Sequence, residues 1–224
     1  MNEKVLVVAA HADDEVLGCG GTIAKHAKNG DEVTLVLMAD GVGSRDGSEN
    51  LDYSKRKEAA ELSARILGIR KIIQLDLPDN AMDSLPLLHV VKKLEKATEQ
   101  LNPTIIYTHH HGDLNIDHRI TFQAVMTVFR PFPGSPVREI HSFEVMSSTE
   151  WNGTASNSFI PDYFVDIAEF LPFKMKALEA YQEEMRDSPH SRSLGHLVAL
   201  AHHRGNSVGL DAAECFKVCR IIKL

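Results

Sequence analysis

Cysteine is scarce in this chain. Cys19, Cys215 and Cys219 are the only three in 224 residues, an odd number, and the last two are spaced too widely for a C-x-x-C pair. This excludes a disulfide-framed secreted scaffold and a thiolate metal site, and it fits reduced thiols in a cytosolic protein. Long apolar runs are missing as well. The first, Val5 to Ala10, is six residues long and is closed off by Asp13. It is too short for a secretory leader, and no segment approaches the ~20 apolar residues of a membrane span. No block of lysine or arginine occurs, and the formal net charge is −7. Binding to nucleic acid or to an anionic membrane surface is therefore not expected. No internal repeat or low-complexity linker divides the chain.

What remains is an ordinary globular composition, 43% hydrophobic and 25% charged, long enough for one domain with a sizeable core. Short β-branched runs alternate with amphipathic segments. Strands are predicted over about 4–10, 33–38, 71–75 and 104–108, with helices over about 16–29, 54–67, 87–101 and 117–129. Gly30 and Gly68 close the first two helices, and Pro103 stops the third. This order implies an α/β, Rossmann-like, doubly wound and mostly parallel sheet with helices on both faces. Residues 1–130 form the regular half of a single domain. The less regular α+β half, 131–224, carries strands near 138–146 and 163–167 and a helix over 170–185, and it is placed as a lid that selects substrate. Trp151, Tyr163 and Phe164 are candidates for stacking on a sugar ring, or for core and interface packing.

Two polar stretches break this pattern, each just beyond the carboxyl end of a strand, where open α/β sheets place ligands. The first is His11-Ala12-Asp13-Asp14-Glu15. Crowded carboxylates raise one another's pKa and resist burial, a penalty that a bound cation removes. The second runs His109-His110-His111-Gly112-Asp113-Leu114-Asn115-Ile116-Asp117-His118-Arg119. Strands 1 and 4 of a parallel sheet share an edge, so His118 is positioned to join His11 and one of the aspartates as a metal ligand, while His110 reads as a solvated loop residue. Two nitrogens and one carboxylate leave a tetrahedral zinc with an open position, the mark of a catalytic site. The remaining aspartate then serves as general base. Gly18, Gly20 and Gly21 do not form G-x-G-x-x-G and read as close helix–sheet packing; a non-catalytic nucleotide-binding module is the competing use for them. The polar loop over 39–53, with Gly41, Gly43, Ser44, Arg45, Asp46 and Gly47, is long enough to carry function. Arg56 and Glu58 in the following helix read by default as a solvated face.

The two stretches resemble the A-H-P-D-D-E and H-P-D-H-R or N-x-D-H-R motifs of the PIG-L/LmbE-like deacetylases. The resemblance also takes in the separation of the motifs and the strand order, and so covers most of the chain. It implies zinc-dependent N-deacetylation of an N-acetylglucosaminyl group, with a small-molecule amino sugar or its conjugate as substrate. A thiol-linked glucosamine conjugate is the alternative substrate. It implies His11, Asp14 and His118 as zinc ligands, Asp13 as general base and proton donor, and Arg56 near the substrate. The tail from Arg204-Gly205 to Phe216 resembles a late family segment and reads as a strand returning to the sheet. Two positions depart from the pattern. Ala12 replaces a proline. Asn115 stands where many members carry a histidine that stabilises the oxyanion, leaving Asp117 to hold His109, His111 or Arg119 and making His190 a candidate late contributor. The same donors suit iron(II) or another divalent ion. The oligomeric state is open, a homo-oligomer included.

Overall fold

A computed structural model describes residues 2–41, 49–153 and 157–223. Strands β1 (Lys4–Ala9), β2 (Glu32–Ala39), β3 (Lys71–Leu77), β4 (Ile105–His109), β5 (Glu139–Phe143), β6 (Tyr163–Asp166) and β7 (Ala213–Ile221) form one sheet in the order β3-β2-β1-β4-β5-β7-β6. The β3, β2, β1, β4 and β5 pairings are parallel, and only β7 runs against its neighbours. Helices α1 (Asp14–Lys28), α2 (Glu49–Leu67), α3 (Leu87–Thr98) and α4 (Ile116–Val128) connect successive strands, and α5 (Leu171–Ala180) and α6 (Leu194–Asn206) follow β6.

The alternation along β1 sets the layers. Val5, Val7 and Ala9 face a core that includes Val16, Leu17 and Ile23 of α1, Ala60 and Leu67 of α2, Ala177 of α5 and Leu197 of α6. Leu6, Val8 and Ala10 face the opposite core, with Val90 and Leu94 of α3 and Ala124 and Val125 of α4. A strand buried on both faces must be apolar throughout, as this one is after Lys4. The chain winds outward from β1 to β2 and β3, then returns to lay β4 on the other side of β1. That reversal opens a crevice at the carboxyl ends of β1 and β4, where both polar stretches begin.

Some boundaries differ from the sequence reading. Helix α1 starts at Asp14 and α2 at Glu49, so the predicted loop ends early; its residues Gly43 to Gly47 lie outside the described residues. Helix α5 ends at Ala180, with a separate 3-10 turn over Gln182–Glu184. Helix α6 is absent from the sequence pattern, and it contains Arg204 and Gly205, which the sequence places with the returning strand; only Ala213 onward is β7.

The glycine cluster packs as expected. A Cβ on Gly18 would meet the Phe143 ring at 2.3 Å, and one on Gly21 would meet Ile167 at 2.9 Å. Helix α1 also breaks at Cys19 (φ −148°, ψ 25°). Beyond the break the Glu214 carboxylate accepts from the N–H groups of Gly21 and Thr22, and the Lys174 ammonium donates to Glu214 and to the Leu17 carbonyl. The glycines therefore leave no phosphate cradle. Gly18→Ala forces a methyl into the Phe143 ring and is expected to destabilise by about 1–3 kcal/mol, lowering Tm by about 2–4 °C for each kcal/mol in a thermal melt.

Candidate metal centre

The turn after β1 carries the first stretch into the crevice. Asp13 is the residue before α1 and adopts φ 111°, a left-handed conformation that is strained for a side chain. The buried Glu15 holds it there. One Glu15 oxygen accepts from the Asp13 N–H (3.0 Å) and the other from the Tyr181 hydroxyl (2.8 Å). Ala12, in the proline position, packs against the core.

Asp14 then faces three imidazoles, those of His11 and His118 and, at 3.5 Å, His109. Its Oδ2 lies 3.2 Å from His11 Nδ1 and 3.2 Å from His118 Nε2. One donor atom from each of His11, Asp14 and His118 falls within 4.8 Å of the others, and all three side chains are buried. The far side of each imidazole is also held by carboxylate. His11 Nε2 lies 3.2 Å from Asp117 and 3.3 Å from Asp79, and His118 Nδ1 lies 3.2 Å from Asp113. Asp113 in turn accepts from Ser148, Thr149 and the Asn115 N–H. Imidazoles backed by carboxylates in this way are oriented and made more basic, as metal-binding histidines are.

The electrostatics agree with a cation at this point. Burial alone would push both imidazoles down, but the surrounding aspartates raise His11 to about 10 and His118 to about 9. Burial likewise works to raise Asp14, and the His118 and His109 imidazoles overcome it, holding Asp14 well below its ordinary range. Protons on the histidines therefore do what a divalent ion would do in their place. The donor set fits such an ion. A second grouping, His11 with Asp79 and Asp117, is also compact. Both Asp117 oxygens, however, already accept from backbone, one from the Asn80 N–H and the other from the Met82 N–H. That grouping serves as support for His11.

Asp13 sits beside the trio without belonging to it. Its Oδ2 accepts from Arg192 Nη1 at 2.9 Å. Burial pushes its carboxyl up to about 6; Arg192 opposes the shift and Asp14 adds to it.

Of the residues singled out in the sequence, His11, Asp13, Asp14, Arg56, Asn115 and His118 line one cleft of about 370 Å³. Other expectations are corrected. Asp117 does not hold His109, His111 or Arg119; it supports His11 and the turn after β3. Asn115 caps α4, accepting from the Asp117 N–H, and donates to the Asn80 side chain. His190 is not on the cleft wall. Its Nδ1 accepts from the Arg192 N–H and its ring meets Trp151 edge-on, and Arg192 is the side chain from this segment that lines the cleft. His110 is buried, as is His109, whose Nε2 accepts from the Ala10 N–H at 2.8 Å and ties β4 to β1. Arg56 is no solvated residue; it pairs with Glu184 at 2.6 Å. Tyr163 stacks on His141 away from the cleft, while Trp151 lines it. Asp79, Asn80, Ser147, Ser148, Glu184 and Arg192 were not anticipated. Only Asp79-Asn80 left a signal, a polar turn at the carboxyl end of a strand.

A family model described as GlcNAc-PI de-N-acetylase, PIG-L, matches residues 6–129, more than half of the chain. An uncharacterized deacetylase of Escherichia coli K12, YaiS, is 29% identical over 80% of this chain and 90% of its own length. The diacetylchitobiose deacetylase of Thermococcus kodakarensis is 28% identical over 95% of this chain and 81% of its own. Among solved structures, the N,N′-diacetylchitobiose deacetylase from Pyrococcus horikoshii superposes with a TM-score of 0.79 at 25% identity, covering 97% of this chain and 84% of that one.

Proposed function

This chain belongs to the PIG-L, GlcNAc-PI de-N-acetylase family, and from that premise we propose that it is a metal-dependent amide hydrolase that removes the N-acetyl group of an amino sugar or its conjugate, releasing acetate and a free amine. The observation that carries the reading is the meeting of His11, Asp14 and His118 with Asp13 beside them. Zinc is the proposed ion, with iron(II) compatible with the same donors. When bound, such an ion lowers the pKa of water and polarises a carbonyl oxygen.

The chain's own residues do the rest. His11, Asp14 and His118 hold the ion, with Asp117, Asp79 and Asp113 fixing the two imidazoles. Asp13 takes a proton from the attacking water and later delivers it to the departing amine. The left-handed turn and Glu15 aim the Asp13 carboxylate, and Arg192 keeps it ionised. In this reading all 224 residues work as one domain, and the half over 131–224 closes the cleft with Trp151, Glu184 and Arg192. Among the described residues no helix is long and apolar enough to cross a membrane.

The test is acetate release from a panel of N-acetylglucosamine derivatives by protein carrying about one metal per chain, with loss on chelation and recovery on adding zinc. Metal-loaded protein that releases no acetate from any of them would refute the reading. A pH profile tests Asp13 separately. A base must be deprotonated to work, so kcat/KM should fall as pH drops through its pKa. Arg192→Gln removes the cation that opposes burial, so the acid limb should move to higher pH. An unmoved limb would take Arg192 out of this role.

A further inference from the structure

The cleft wall beyond the metal ligands carries two guanidinium groups. Arg56 and Arg192 are the lysine or arginine side chains among the described residues lining it. A guanidinium on a cleft wall is the usual recogniser of carboxylate or phosphate. Here both are already taken. Arg56 meets Glu184 at 2.6 Å and Arg192 meets Asp13 at 2.9 Å, and all four side chains are less than 20% exposed, so solvent screens these pairs weakly. The wall also carries Asp13, Asp14, Asp79 and Glu184. An anionic group reaching for Arg56 or Arg192 would have to compete with the carboxylate already paired with it.

The outer part of the wall is of another kind. Leu114 and Trp151 line the same cleft and are 53% and 51% exposed. Both offer apolar surface that a bound ligand can cover. The His190 ring meets the indole edge-on at 5.7 Å, holding a flat, amphipathic platform at the mouth.

Resting on the deacetylase reading, we infer that this site selects N-acetyl amino sugars whose attached group is uncharged and presents a flat apolar face, such as a second sugar ring, and that Glu184 enforces the choice by neutralising Arg56. Glu184 comes from the 3-10 turn after α5, far in sequence from the metal motifs.

The experiment compares kcat/KM for acetate release from N,N′-diacetylchitobiose, which is neutral, and from N-acetylglucosaminyl malate, which is anionic. Wild-type protein should favour the neutral substrate by at least about tenfold. Glu184→Gln frees Arg56 and should shift the ratio at least about tenfold towards the malate conjugate, chiefly through a lower KM for it. The double variant Glu184→Gln/Arg56→Gln should lose that gain. Trp151→Ala should lower the preference for the disaccharide over N-acetylglucosamine by about tenfold. Equal or better use of the malate conjugate by wild-type protein, or an unmoved ratio in folded Glu184→Gln, overturns the inference. The wild-type ratio decides the matter if that variant does not fold. Acetate released in the wrong ratio overturns only the charge selectivity. No acetate from either substrate, with metal bound and the wider panel also negative, overturns the deacetylase reading together with it.

Discussion

Asp13→Asn is expected to lower kcat by about 10³-fold, within the 10²–10⁴ range of a lost general base, while the purified variant keeps about one metal per chain. The two halves of this result have separate physical grounds. The amide is isosteric with the carboxylate but cannot take the water's proton. Asn also tolerates the left-handed backbone that Asp13 adopts at φ 111°, so the turn that presents Asp14 should persist. Nor does Asp13 touch the ion-holding trio, since its resolved partner is Arg192. Metal analysis and acetate release on the same preparation check both halves. Loss of the ion in this variant would mean that Asp13 is a ligand.

Asp14→Asn should give the opposite pattern, losing the ion and activity together. Asp14 Oδ2 lies within 3.2 Å of one nitrogen from each partner imidazole and also accepts from the His11 N–H at 2.9 Å. A neutral amide there removes the carboxylate that lies between them. Changing groups that merely orient metal ligands costs about 10–100-fold in affinity, so losing a ligand should cost more than about 100-fold. A metal-binding titration on the variant measures this. If Asp14→Asn binds metal normally while Asp13→Asn does not, the two roles are exchanged.

How much of this was legible depended on the distance over which each signal acts. The sheet core could be read because Val5 to Ala10 and Ile105 to Thr108 are short runs buried on both faces, as the strands of a covered parallel sheet are. The candidate metal cluster could be read because His11 and Asp14 directly follow β1 and His118 lies in the first turn of the helix after β4, so topology carries the three to one edge of the sheet. The burial of His109 and His110 could not, because it depends on what packs over β4. The partners of Asp117 could not, because they are backbone N–H groups of the turn after β3. Glu184 comes from a three-residue 3-10 turn and Arg192 from an irregular segment before α6, both too short for a periodicity that reports which way a side chain points. Helix α6 was hidden for a related reason. Its run from Leu194 to Asn206 contains two glycines and three histidines, and its local signal is the Ser193 cap, whose side chain accepts from the His196 N–H.

The most direct measurement is the position of the ion itself, from anomalous diffraction at the zinc edge on crystals grown with zinc. A single peak about 2.0–2.2 Å from His11 Nδ1, His118 Nε2 and an Asp14 oxygen is the expected result. A peak held instead by His11 Nε2, Asp79 and Asp117, or one remote from His118, would contradict it.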